Sequence, residues 1–525
     1  MKCNQDPNLE LSTSRKIIIF FIGTFESMLF GGAVFGWPQL VHVLKVEGLY
    51  SDLCGAPVTF NHPPFVPENQ TLLSHQAFVP NNHTLQRNFI LSTPFNTSRC
   101  NSFNRTYEIS SSHAVGVEKC DPQDQRFALI YTVTICCYSI PGILVGYLLH
   151  HAGLRVTRIS GGTMLSLGFL LLGIATKESP HWLFPAMILL ALGGNQIRMS
   201  VMQFGDLFPA HRATAITLLS GMYAASAALF LIFQFTANME IDRAHVCWFL
   251  AALSSLTVFL SFLMPVHHIP NKEQEAGGSN VSQNTQPLAR SLWTASSMLH
   301  QLWFFVNLFA VNNYQQTYNV WITSSSCSVN EAGLYSMLFS YSNLITVFIS
   351  PMGGAFTDYM VKKAGKTPNE LDKRVKEVQA SFWPLLVTTI STVAMYASIL
   401  FYHPAAIYVS LIAMIVARPC IIAVSTAYVR IRFPGDHFNR LLGIYGTVTS
   451  VLLFLQYPHF MLAQKMYYIA HGLTLAILAI SFMNPIHLLF TPLMRHAIAI
   501  RDEVSEDDLL ALKTQNGEYR SPTRA

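Results

Sequence analysis

Apolar residues come along this chain in blocks of membrane-spanning length. The first runs from Ile17 to about Val43, just after Arg15 and Lys16. Later blocks cover roughly 126–149, 159–175, 181–204, 213–237 and 245–266. Beyond a polar stretch come 299–323, 332–357, 380–402, 405–429, 440–463 and 467–494. A helix needs roughly 20 apolar residues to cross the hydrocarbon of a bilayer. The pattern therefore predicts twelve spanning helices, six on each side of a linker. No small-residue cleavage site closes the first block, so it reads as a retained helix and not a signal peptide.

The polar stretches set the organisation: a tail over 1–16, a first six-helix bundle over 17–266, a linker over 267–298, a second bundle over 299–494 and a tail over 495–525. A long polar loop, 45–125, interrupts the first bundle and carries Asn-x-Ser/Thr acceptors at Asn69, Asn82, Asn96 and Asn104. Glycan addition requires a lumenal or extracellular face. Lys and Arg give orientation independently. Arg155 and Arg158 follow the second block, Lys362, Lys363, Lys366, Lys373, Arg374 and Lys376 follow the eighth, and Arg430, Arg432 and Arg440 follow the tenth. Positive loops stay cytoplasmic. Both arguments predict cytoplasmic termini and an extracellular first loop.

Composition agrees with a chain dissolved mostly in lipid. Of 525 residues, 51% are hydrophobic and only 12% charged, about half the charged share of a soluble domain. Of the nine cysteines, Cys3, Cys136, Cys137, Cys247, Cys327 and Cys420 are scattered without metal-ligand spacing. Cys54, Cys100 and Cys120 share the first loop, where an oxidising face permits a disulfide. Cys54 and Cys120 bracket that loop and are the preferred pair, leaving Cys100 odd; three free thiols are the alternative.

The two halves echo each other. Gly146, His150 and Arg155 after the second block correspond to Gly354, Asp358 and Lys362 after the eighth. Phe208, Pro209, His211 and Arg212 after the fourth correspond to Phe433, Pro434, His437 and Arg440 after the tenth. Weak symmetry between six-helix halves is the mark of transporters whose halves rock about a midplane site. The Gly354/Asp358 element resembles the major-facilitator cytoplasmic loop motif, which marks Asp358, His150, Arg212 and Arg440 as candidate gating residues; an ordinary basic loop is the alternative.

Polar groups inside spans are costly and point to function. Glu26 lies nine residues past Ile17, about 14 Å of rise, with Trp37 on its face. It reads either as a ligand acceptor or as a packing lock. Arg418, beside Pro419, is a candidate for a polar substrate or for pairing with Glu26. Asn312, Asn313, Tyr314 and Gln315 belong to a run too polar to face lipid. Tyr223, Asn343 and Gln456 are weaker candidates of the same kind. Arg198 lies toward the cytoplasmic end of its span and reads as a snorkelling side chain. No phosphate-binding loop, His/Cys metal cluster, catalytic triad or basic nucleic-acid surface is visible in the sequence, so no cofactor, metal, nucleic acid or obligate protein partner is expected and no enzymatic activity.

Together these segments resemble solute carrier family 43 of the major facilitator superfamily. The likeness is densest at Phe35, Gly36, Trp37 and Pro38, with Lys45, Glu47, Asp52, Leu53, Cys54 and Gly55. It recurs at Cys120 and Gln123 to Phe127, at Leu207, Phe208, His211 and Arg212, and at Phe433, Pro434, His437, Phe438, Gly443 and Leu455 to Pro458. Glu26 falls on the family's acidic position in the first helix. The resemblance implies an all-α membrane protein of the major facilitator fold, acting as a sodium-independent facilitator at the plasma membrane. The family holds a purine nucleobase transporter and large neutral amino acid transporters. The expectation is facilitated transport of adenine, guanine or hypoxanthine by alternating access. Large neutral amino acids such as leucine are the first alternative, and a transporter-like receptor without turnover the second.

Overall fold

A computed structural model describes residues 13–54, 120–207, 212–237, 239–264, 288–433, 435–492 and 494–495. Every regular element among them is helical. In the first half these are α1 (Thr13–Phe30, continuing as Trp37–Val46), α2 (Asp121–Ser139, continuing as Gly142–His151), α3 (Gly153–Ile174), α4 (Leu183–Met202), α5 (Arg212–Ala225, continuing as Leu231–Ala237) and α6 (Arg243–Ser261). In the second half they are α7 (Ala295–Ser325), α8 (Val329–Ala364), α9 (Phe382–Ala397), α10 (Pro404–Arg432), α11 (Gly435–Leu452, continuing as Gln456–Lys465) and α12 (Tyr467–Ser481). Ten of the helical stretches are long and apolar enough to cross a membrane. The others, α4 and α7, carry the polar runs Asn195 to Arg198 and Asn312 to Gln316. Glycosylation candidates Asn69, Asn82, Asn96 and Asn104, and Cys100, lie outside the described residues.

Local chemistry marks the helix ends. Cys120 caps α2, whose first turn holds Asp121 and Asp124 against the positive end of the helix dipole. Ser328 accepts from the Glu331 backbone N–H at 3.1 Å, and Glu331 accepts from the Cys327 N–H at 2.8 Å, a close relative of the capping box. Arg155, read from sequence as a loop charge, lies inside α3 and donates to the Phe262 and Met264 carbonyls just past α6. It neutralises the negative end of that helix.

Each half has its own apolar core. The first is built around Phe30, Tyr131, Leu165, Phe169, Leu190 and Phe230, and the second around Tyr314, Tyr318, Trp321, Phe339 and Met414. Outward-pointing Phe21, Leu144, Phe259, Phe348 and Ile412 are largely exposed while Asn195, Asn312, Asn313 and Gln315 are buried. This inversion of the soluble pattern is what a lipid solvent imposes. The halves meet along one seam, where α5 packs on α8 and α10, α2 on α11, and α7 on the second segment of α1.

Cys54 and Cys120 are joined by a disulfide, which ties the start of α2 to the segment after α1. This marks one face of the molecule, called here the disulfide end. Cys327, one of the scattered cysteines, is also disulfide-bonded. Cys136, Cys137, Cys247 and Cys420 are free.

Candidate functional site

Halfway along the seam, α1 and α5 are both interrupted. Gly31 and Gly32 lead α1 into a 3-10 turn over Ala33–Gly36, and α5 tightens over Ser226–Ala228. The two interruptions pack against each other. The Gly32 N–H donates to Ser226 Oγ at 2.7 Å, and the Gly31 carbonyl accepts from the Tyr138 hydroxyl at 2.7 Å. A Cβ on Gly36 would sit 2.3 Å from the Ala227 carbonyl oxygen, and one on Gly32 would meet the Tyr223 ring at 2.6 Å. Only glycine permits this approach. Broken helices at midplane depth are where transporters of this architecture place backbone and side-chain polar groups.

Above the interruptions lies a three-ring cluster. Phe35 meets Tyr138 edge-on at 5.2 Å between ring centres and Tyr223 at 5.9 Å, and the two tyrosines stack at 6.3 Å. Two guanidinium groups flank it from opposite halves. Arg198 of α4 lies over Tyr138 and Tyr223, its central carbon 5.6 and 5.3 Å from the ring centres. Arg418 of α10 lies 5.0 Å above Phe35. Both are cation–π contacts. Arg418 also donates to the Ala224 carbonyl at 3.1 Å, across the seam, and to the Asn343 side-chain oxygen.

Toward the disulfide end the halves are laced together. Tyr131 stacks on Trp37 and donates to Gln315 at 2.8 Å. Gln316 donates to the Ala128 carbonyl at 2.9 Å and to Thr132 at 3.1 Å. Ser336 donates to Gln39 at 2.9 Å, Gln39 bonds to Gln234, and Gln234 donates to the Gly333 carbonyl at 3.3 Å. Outermost, Gln125 donates to Gln464 at 2.7 Å. This face of the seam is closed.

The sequence-derived candidates divide accordingly. Tyr223, Asn343 and Arg418 meet at the interrupted helices, and Trp37 and Gln315 sit in the closed layer beside them. Asn312 Oδ1, both polar atoms of the Asn313 amide and both of Gln456 are buried without a hydrogen-bond partner. Tyr314 does not face the seam: one residue before Gln315, it points into the second half, bonds to Ser410 at 2.8 Å and packs beside Tyr318. Glu26 does not reach Arg418. Its carboxylate is ion-paired with Arg158 of α3, beside Ser200 of α4, wholly within the first half. Arg158, assigned from sequence to a cytoplasmic loop, is a fully buried helix residue under the Phe204 ring. Arg198, assigned to snorkelling, is half-buried over two tyrosines. Nothing in the sequence singles out Phe35, Tyr131 and Tyr138 as site residues, since aromatic residues in spans are ordinarily lipid-facing bulk. Among the gating candidates, Asp358 and Arg440 are exposed, Asp358 within electrostatic reach of Arg430. His150 is the penultimate residue of the second segment of α2 and Arg212 begins α5; their side chains lie outside the described residues.

Two six-helix halves around a midplane polar site define a membrane transporter, and a family model described as Major Facilitator Superfamily matches residues 120–457. The chain belongs to that superfamily, whose members here are transporters and not enzymes. It is similar to equilibrative nucleobase transporter 1 of Bos taurus, 22% identical over 499 residues that cover 85% of this chain and 89% of that protein. It is also similar to the large neutral amino acids transporter small subunit 3 of Mus musculus, 23% identical over 43% of this chain and 32% of that protein. Among solved structures, a peptide transporter, POT, superposes with a TM-score of 0.50 at 12% identity, covering 71% of this chain and 87% of that one. That likeness speaks to fold alone.

Proposed function

We propose that this chain is a facilitative transporter of purine nucleobases such as adenine, guanine and hypoxanthine. The observation that carries this reading is the ring cluster of Phe35, Tyr138 and Tyr223 on the seam between the halves. Flat heterocycles stack on such rings, and their edges need several hydrogen-bond partners. Arg418, Asn312, Asn313 and Gln456 hold polar atoms without partners close to or along the seam helices. The similarity to a nucleobase transporter over most of both chains supports the same class.

Alternating access follows from the two halves. In the state described, the disulfide end is laced shut by cross-seam hydrogen bonds, which must break before the site can open on that face. Movement uncoupled from sodium or protons is the simplest reading, because Glu26 is ion-paired with Arg158 inside the first half, away from the ring cluster. We place the disulfide end outside the cell and the chain in the plasma membrane, on the sequons of the first loop and the basic residues at the other ends of the helices.

Large neutral amino acid transport is the second reading, favoured by the similarity to the small subunit 3 transporter. A zwitterion needs an anionic partner for its ammonium group, and Glu26 is too far removed by its pairing to provide one. Uptake of labelled adenine, hypoxanthine and leucine into expressing cells, with and without sodium, tests the assignment. Sodium-independent purine uptake supports it, and leucine uptake without purine uptake overturns it.

A further inference from the structure

The charge of the site is lopsided. Arg198 and Arg418 approach one ring cluster from opposite halves, and among the described residues neither is paired with a carboxylate. Arg198 donates only to Asn195 Oδ1 at 3.0 Å and to the Met199 sulfur at 3.6 Å. Arg418 donates to a carbonyl and an amide oxygen. Its second terminal nitrogen, Nη2, is buried without a partner, as is Arg198 Nε. Arg418 itself is 7% exposed. Two cations over three rings, with charged N–H donors left over, call for a ligand edge made of acceptors.

We propose that Arg198 and Arg418 are specificity-determining residues that select 6-oxopurines over 6-aminopurines. This deepens the nucleobase reading and rests on it. A 6-oxopurine presents its O6 and N7 side by side, two acceptors matched to the planar fork of a guanidinium. Its N1–H then needs an acceptor. Asn312 Oδ1, on α7 one helical turn below Gln316, is such an acceptor, buried and unbonded. A 6-aminopurine reverses half of this edge. Its exocyclic amino group sits beside N7 and meets the guanidinium donor to donor, which leaves a buried charged N–H unsatisfied. Sites built to bond one edge reject the analogue lacking it far more strongly than they reject a change of size. Partial negative charge on O6, and full charge on the ionised ring of an acidic oxopurine, also offset the two guanidinium charges.

Initial rates of uptake of hypoxanthine, guanine and adenine in proteoliposomes test this. In the wild type, kcat/KM for hypoxanthine should exceed that for adenine by about tenfold or more, the size of one good bidentate pairing. In Arg418→Gln and in Arg198→Gln the ratio should fall toward one, because hypoxanthine uptake drops further than adenine uptake. Arg418→Lys keeps the charge without the fork and should give an intermediate ratio. Adenine carried as well as hypoxanthine by the wild type overturns the inference and leaves the nucleobase assignment standing. So does a ratio unchanged in the arginine variants. Uptake of neither purine overturns both. If a variant does not assemble, the wild-type ratio and the remaining variant still decide.

Discussion

Glu26 and Arg158 form an ion pair sealed inside the first half of the molecule, with no part of it on the seam between halves. Both side chains are essentially inaccessible to solvent, and Ser200 supplies a further partner to the guanidinium. Attraction within such a pair is offset by the cost of desolvating both ions, whereas removing one partner leaves a buried charge alone, at a cost of about 3–5 kcal/mol. Glu26→Ala and Arg158→Ala should each lower the melting temperature and the amount of folded protein at the surface. Glu26→Leu combined with Arg158→Met should recover most of the loss. Uptake per surface molecule in the double variant should stay near wild type. A double variant that folds normally but carries nothing would return Glu26 to the substrate site.

The glycines at the interrupted helices make a sharper structural test. A methyl group on Gly36 would strike the Ala227 main chain, whereas one on Gly472 would enter open space. Overpacking of a tight contact costs about 1–3 kcal/mol or more. Gly36→Ala should abolish uptake and depress thermal stability, and Gly472→Ala should change neither. Equal behaviour of the two variants would contradict the close approach of α1 and α5.

Closure of the disulfide end predicts a reversible lock. Gln125 and Gln464 bond across the seam at 2.7 Å. A Gln125→Cys, Gln464→Cys double variant should be joined by a short bis-methanethiosulfonate cross-linker, lose uptake, and regain it on reduction. Uptake that continues at the wild-type rate while the bond is formed would show that this face does not open during transport.

The Cys54–Cys120 bond closes a long loop, with a sequence separation of 66 residues. Loss of such a cross-link typically destabilises by about 2–5 kcal/mol. Cys54→Ser should therefore lower the melting temperature by several degrees without altering substrate preference. Separately, replacing Asn69, Asn82, Asn96 and Asn104 by Gln should remove a glycosidase-sensitive mobility shift. No shift in the wild type would remove the sequon argument for the proposed orientation and leave it on the basic loops alone.

The all-helical membrane fold and ten of the twelve expected spans were readable from sequence because lipid imposes one rule on every residue of a spanning helix: apolar groups outward, polar groups covered. What that rule leaves open is which neighbour covers them. Tyr314, Gln315 and Gln316 are consecutive and equally buried, yet successive helical positions turn by about 100°. Tyr314 therefore serves the core of the second half while its two neighbours bond to α2 of the first. In the sequence Arg158 reads as a loop charge because Gly153 and the basic residues near it resemble a linker, whereas α3 begins at that glycine and carries the arginine a full turn inward. Arg198 reads as a snorkelling side chain for the opposite reason, since only the tertiary fold brings the Tyr138 and Tyr223 rings beneath it.

The main-chain contact between α1 and α5 carries a consequence for how cargo preference can diversify. At the contact itself the two helices present backbone and glycine, where a side chain cannot be added without collision, and Phe35 and Tyr223 project beside it. Variation is thus channelled onto the facing wall, chiefly Asn343 and Arg418, and onto Arg198 beside the rings. A lineage could acquire a new solute by replacing a handful of residues while the close approach of α1 and α5 stays untouched.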